Sequence, residues 1–451
     1  MRALHRTSPF FSPDAHNEHE SEARAMVYEV AKVHAIEILD SRGRPTLEVS
    51  LELASGPVAV AGVPSGASTG TREAVELRDG DPKRYKGAGV TKAVGNVNGE
   101  INGLLAGRAW KSLEELDRAV IELDGTETKS RLGANATVGV SMAAARAMAL
   151  ADDKPLYRWL APDESLLRLP VPHFNVVNGG AHAQNPLELQ EFMVAPLGAP
   201  TFAEALRAGA EVYQVLRALL HAAGHSTGLG DEGGFAPNLS TPEEVLDLLV
   251  EAITKAGYKP GPDGIAIALD PASSEMRESD GSYRYSPGVR FTTDQMIDRY
   301  QALTTKYPIW LIEDGLGEDD WDGWEKLTAR LGQSVQLVGD DLFVTNPAII
   351  REGIERHVAN SALIKLNQIG TVSETLEAIA VCRAAGYAQF ISHRSGETTD
   401  SFIADLAVAS GAGQLKTGAP ARGERVAKYN RLVVIEAEMP GLPYGLPGRG
   451  H

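Results

Sequence analysis

An α/β architecture follows from the sequence: an α+β region first, then a closed barrel of repeated strand–helix units. Three observations predict it. The chain has 451 residues, which is room for a barrel of about 250 residues and a second domain. From Val27 the pattern alternates in strand fashion and then turns helical. After Leu169, short apolar runs recur, each ending in a polar or charged residue.

Taken in order, EVAKVHAIEIL, a turn at Asp40 to Pro45 and TLEVSLEL form a hairpin signal. A Gly- and Ser-rich stretch follows, Gly62 to Gly70. Helical periodicity then covers the regions around Ala93 to Leu105 and Gly133 to Leu150. Strands before helices within one region indicate an α+β domain. We place it at residues 26–162, the barrel at 163–440 and a C-terminal tail at 441–451. Residues 1–25 read as a disordered extension, or as an over-long start with Met26 as the native beginning. They lack the apolar segment of a signal peptide, and His5, His16 and His19 are too loosely spaced for a metal site.

In the second region, IAIAL ends at Asp270, IWLI at Glu313, VQLVG at Asp340, ALI at Lys365, AQFIS at His393 and GQL at Lys416. The steps are 43, 27, 25, 28 and 23 residues. A step near 25 suits one strand, one loop and one helix. The 43-residue step contains SDGSYRYS, which reads as a hairpin insertion with a DG turn. Thr241-Pro242-Glu243-Glu244 supplies an N-cap, a Pro at N1 and a capping-box Glu, and Gly257 marks the stop. Repeated βα units with buried strands predict a parallel sheet. No GxGxxG opens a helix after a strand, which argues against a dinucleotide fold.

Composition narrows the function. A formal charge of −17 argues against nucleic acid or anionic membrane as a default partner. No apolar run reaches the length of a membrane span. The single cysteine, Cys382, excludes an internal disulfide and fits a reducing cytoplasm. Its helical setting predicts a packing role.

The strand ends carry the chemistry. In a barrel they converge on one face, so the six terminal residues would ring one pocket. Asp270, Glu313 and Asp340 are three converging carboxylates without His or Cys partners, a set that suits Mg²⁺. Alternation along a strand makes Asp314 and Asp341 poor co-ligands. Lys365 and Lys416, beside a metal and each other, should have their charged forms disfavoured. A lysine of lowered pKa can act as a base. Removing a proton next to a carboxylate gives a dianion that needs divalent metal. His182, Gln190 and Glu191 lie between a Gly-rich turn and a strand, and Glu232 is flanked by glycines, which permit close approach to a ligand.

DSRGRPTLEV, VPSGASTG, LGANATVGVSMA, LQEFMVAP, GDEGGFAPN, ALDPASSE, IEDGL, GDDLFVTN, LIKLNQIG, ISHRSGETTD and LKTGAPAR resemble enolase segments in order and spacing, from about Val27 to about Ile435. The resemblance implies a capping domain and a modified (β/α)8 barrel whose first units run ββαα. It implies reversible dehydration of 2-phosphoglycerate to phosphoenolpyruvate, as in glycolysis and gluconeogenesis. By matching position, Lys365 would be the base and Glu232 the acid, with Glu191 and His182 beside them. Asp270, Glu313 and Asp340 would hold a structural Mg²⁺, and a second Mg²⁺ arriving with substrate would meet Ser68. Gln190, His182, Arg394, Ser395, His393 and Lys416 would bind substrate. A homo-oligomer, dimer or octamer, is implied. Thr399 stands where an acid is expected, and SGPVAVAG lacks the usual aromatic-Arg pair. A racemase or epimerase of the same superfamily would carry a K-x-K strand, and a purely scaffolding relative would have a damaged ring; neither applies here.

Overall fold

The computed structural model describes residues 27–67, 70–183 and 185–448. The extension expected at 1–25, its three histidines and Ser68 lie outside the described residues.

The hairpin forms as expected. Strand β1 (Tyr28–Leu39) pairs antiparallel with β2 (Pro45–Leu53). Strands β3 (Val58–Gly62) and β4 (Arg108–Trp110) complete a sheet ordered β3-β2-β1-β4. The helix Ala134–Ala151 packs on this sheet, and nearly all its residues are buried. Gly139 allows the approach: a Cβ there would stand 2.6 Å from Val49 and 2.8 Å from Val63.

The barrel is closed. Its strands are β5 (Val171–Asn178), β6 (Glu191–Ala195), β7 (Ala266–Asp270), and, after a small hairpin of β8 (Tyr283–Ser286) and β9 (Val289–Phe291), β10 (Ile309–Glu313), β11 (Gln336–Gly339), β12 (Ser361–Ile364), β13 (Ala388–Ser392) and β14 (Gln414–Lys416). They close in the order β10-β11-β12-β13-β14-β5-β6-β7. The lumen holds a separate apolar cluster of Met193, Ala268, Leu311, Val338, Leu363 and Phe390, one inward side chain from each of six strands. A packed lumen leaves chemistry to the strand ends.

Two expectations need correction. The sheet is not wholly parallel, since β6 runs antiparallel to both β5 and β7. Among the described residues, the segment between β5 and β6 has a single short helical turn, Gly180–His182, whereas a parallel return needs a crossover helix. Two helices, Phe202–Ala222 and Pro242–Lys255, then precede β7, giving the ββαα start. The inserted hairpin turns mainly at Pro287-Gly288, between β8 and β9; the Asp280-Gly281 turn closes only an isolated bridge, Arg277 to Tyr283.

The helix starts behave as read. Thr241 and Glu244 make a full capping box, and Gly257 takes φ +88° after the helix ends. Cys382 is buried, and burial pushes its thiol up to about 12, so it is an inert packing residue. Residues 441–448 return to the barrel: the Leu169 N–H donates to Pro443 O, and buried Tyr444 donates to Pro196 O at 2.9 Å.

The N-terminal sheet and its helices sit against the barrel mouth. Ser65 and Gly396 exchange backbone hydrogen bonds at 2.8 and 2.9 Å. Asp117, on the helix Leu113–Asp124, accepts from Ser141 Oγ at 2.8 Å and from Ser373 N and Oγ at 3.1 and 2.6 Å. Ser373 opens a barrel helix, so this buried carboxyl joins the two parts.

Candidate active site

At the barrel mouth one pocket is lined by every described candidate site residue except Glu313, which is fully buried. The strand ends converge because the strands are parallel. The exception proves useful. Since β6 is reversed, its beginning rather than its end reaches this face, and Glu191 pairs in register with Asp270.

Lys416 is the electrostatic centre. Its Nζ donates to Glu313 Oε1 at 2.7 Å, Glu191 Oε2 at 2.9 Å and Asp270 Oδ2 at 3.3 Å. Lys365 Nζ donates to Asp340 Oδ2 at 2.5 Å, and Gln368 Nε2 donates to Asp340 Oδ1 at 2.8 Å. The expectation that the lysines would be pushed toward neutrality is not met by the protein's own groups. Burial opposes the charge of Lys416, but Glu191, Glu313, Asp270 and Glu232 hold it well above its ordinary value. Burial likewise opposes Lys365, and Asp340 raises it. Acids outnumber cations here, and attraction wins.

The carboxylates carry the strain of that surplus. Glu313 is raised well above its usual range by burial and then by Asp270. Burial also raises Asp270 and Glu232, and burial with Glu232 raises Glu191. Asp340 moves the other way: burial pushes it up, but Lys365 and Lys416 bring it below its ordinary value. Glu313 Oε2 is buried without a hydrogen-bond partner among the described residues.

The loops bring in the rest. In the Gly230–Gly234 turn, Gly233 takes φ +87°, and a Cβ on Gly234 would stand 2.6 Å from Asn178 Oδ1. This tight turn presents Glu232, whose carbonyl accepts from Ala419 N at 2.9 Å. His182 Nε2 lies 3.0 Å from Ser395 Oγ, and its Nδ1 lies 3.8 Å from both Glu191 and Glu232. Burial lowers the pKa of His182, and burial followed by the Arg425 charge holds His393 well below its ordinary range. Both rings are neutral near pH 7. Gln190 is buried, with Oε1 unpartnered among the described residues.

Asp314 and Asp341 depart from the alternation argument. Strand β10 ends at Glu313, and Asp314 takes φ +42°, so alternation stops there. Its carboxylate turns to accept the N–H groups of Asp340 and Asp341 at 2.8 and 2.9 Å. Ligand atoms of Asp314, Asp340 and Asp341 lie within 4.8 Å of one another, as do those of His182, Glu191 and Glu232. The pocket thus has the donors for one Mg²⁺ site.

Sequence reasoning missed several residues. Glu73, just past the Gly-rich stretch, accepts from Arg394 Nη1 at 2.9 Å, and Asn367 Oδ1 accepts from the same nitrogen at 2.9 Å. Asn175 donates to Glu191 at 2.6 Å. Arg425 lies behind His393 and Arg394. None ends a strand; only Asn367, two residues past Lys365 within LIKLNQIG, and Glu73, a few residues beyond VPSGASTG, had a positional signal.

Among the described residues no helix is long and apolar enough to cross a membrane. The family model described as "Enolase, N-terminal domain" matches residues 30–160, and that described as "Enolase, C-terminal TIM barrel domain" matches residues 166–442. Those matches, the closed barrel with its capping sheet and the carboxylate–lysine pocket have one common meaning: the chain belongs to the enolase family and is a Mg²⁺-dependent lyase that interconverts 2-phosphoglycerate and phosphoenolpyruvate.

Proposed function

We propose that Lys365 removes the C2 proton of 2-phosphoglycerate and that Glu232 protonates the departing 3-hydroxyl. The observation that carries this reading is that the two side chains line one small pocket, with an amine from the barrel wall and a carboxyl raised by burial from the loop. A carboxyl that keeps its proton longer than usual is suited to general-acid work. The C2–H electrons pass into the substrate carboxylate as the proton goes to Nζ. They then form the C2–C3 double bond as the C3–O bond breaks. The oxygen leaves as water with the proton from Glu232.

Asp270, Glu313 and Asp340 would hold the structural Mg²⁺. Buried, mutually repelling carboxylates with an unpartnered Glu313 oxygen fit a hard cation better than they fit one another. When bound, Mg²⁺ supplies the positive charge that stabilises the enolate dianion and offsets the carboxylates' hold on the lysines. Ser68 would meet a second Mg²⁺ that enters with substrate. Arg394 presents a planar fork suited to phosphate, aimed by Glu73 and Asn367; Ser395, His393, His182, Gln190 and Lys416 complete substrate binding, with Glu191 beside Glu232. The domain boundary falls between 162 and 163. The chain works as a homo-oligomer, a reading supported by exposed Ile36, Leu39, Val58 and Val60 on the N-terminal sheet.

The two proton transfers can be separated. Glu232→Gln keeps the size and removes the acid. It should stop phosphoenolpyruvate formation while C2 hydrogen still exchanges in D₂O, followed by NMR. Lys365→Ala should lose both, by about 10²–10⁴-fold. Wild-type exchange in Lys365→Ala would remove Lys365 from the base role.

A further inference from the structure

Arg425 lies in the first turn of the helix Gly423–Glu438 and is fully buried. Its Nη1 donates to His393 Nδ1 at 2.5 Å and to Arg394 O at 2.8 Å. Its Nη2 donates to Ser395 O at 2.6 Å and to Asp231 O at 3.1 Å. Its Nε faces Glu424 Oε1 at 3.3 Å. One side chain therefore ties the end of β13 to the loop that presents Glu232.

A guanidinium has five N–H donors and no acceptor, and it keeps its charge at any working pH. The nitrogen of His393 facing it can only accept. The proton of a neutral ring must then sit on Nε2. That nitrogen is 3.4 Å from Glu232 Oε1 and is buried without a hydrogen-bond partner among the described residues.

We propose that Arg425 is a positioning residue: it fixes His393 as the Nε2–H tautomer, so that this N–H stands beside Glu232 where the 3-hydroxyl leaves. The catalytic half of the proposal rests on the reading of Glu232 as the acid. Once Glu232 has given its proton to the leaving oxygen, it is a buried carboxylate, and the Nε2–H can donate to it. The histidine keeps its own proton throughout. Its contribution is a preorganised donor aimed at developing negative charge. The opposite tautomer would aim a lone pair there instead and would set an N–H against a cation.

The test is NMR of histidine-¹⁵N-labelled full-length protein, with His393→Asn to assign the signal. Wild type should show His393 as a single Nε2–H tautomer. Arg425→Met should introduce the Nδ1–H form, and Arg425→Lys, which keeps a charged donor, should restore much of the wild-type pattern. In Arg425→Met the dehydration kcat should fall on the order of 10²-fold, with KM little changed and C2 exchange in D₂O retained. A purely structural role would lower exchange and dehydration in proportion. An Nδ1–H His393 in wild type overturns the proposal, even if Arg425→Met fails to fold. So does an unaltered tautomer in a folded Arg425→Met, or an equal loss of both rates. The wild-type spectrum is independent of Glu232, so normal turnover in Glu232→Gln would refute the acid reading separately.

Discussion

Asp117 offers a prediction with a worked magnitude. Its carboxyl is buried between the helix Leu113–Asp124 and the start of a barrel helix, and all three of its hydrogen bonds fall on one oxygen. Burial pushes its pKa from 3.8 to about 6, against the lowering effect of the Ser373 and Ser141 hydrogen bonds. The acid is therefore harder to ionise in the folded state. Below the unfolded pKa both states hold the proton and nothing is lost. Between the two values the folded state holds a proton that the unfolded state has released, so stability falls as pH rises. Above about pH 6 the full penalty applies, about 3 kcal/mol for a shift of about two units. Asp117→Asn keeps one oxygen acceptor for the three donors and does not titrate. The linkage gives wild type a penalty of about 1 kcal/mol at pH 4.5 and about 3 kcal/mol at pH 7.5. The stability difference, variant minus wild type, should thus rise by about 2 kcal/mol across that range. Urea unfolding of both proteins at matched concentration from pH 4.5 to 7.5 reads it. A difference that stays flat or falls with pH would refute the buried-acid argument, whatever the absolute stability of the variant.

Other outcomes follow from the same geometry. Chelation should abolish turnover and Mg²⁺ should restore it; Asp340→Ala should weaken Mg²⁺ binding in calorimetric titration, and full activity in chelator would contradict the metal reading. Gly209→Ala should destabilise the barrel by about 1–3 kcal/mol, because a Cβ there would lie 2.1 Å from the Phe174 ring; a thermal midpoint equal to wild type would count against that packing.

Much of the fold and of the site was legible because both repeat a local rule. A strand buried on both faces must be apolar and must end where the pocket begins, so Asp270, Glu313, Asp340, Lys365, His393 and Lys416 each announce a strand end. Capping boxes and glycine stops act within a few residues, so Thr241, Glu244 and Gly257 were readable too. Cys382 declared itself by the absence of any partner spacing.

Other features depended on partners far away in the chain. The reversal of β6 came from a connection without a crossover helix, and it alone brings Glu191 opposite Asp270. The direction of the lysine shifts was set by counting charges in space: Lys416 meets three carboxylates from 103 to 225 residues away. Glu73 and Arg425 reach Arg394 across 321 and 31 residues, and neither lies in a local pattern of its own. By itself, then, the sequence determined the barrel, the ring of strand-end residues and their chemical types, because periodicity and strand polarity are local properties. Tertiary structure alone decided which acid faces which cation, which histidine nitrogen is free to donate, and how the N-terminal part sits over the mouth, because Coulomb interactions and hydrogen bonds depend on distance in space and not on separation along the chain.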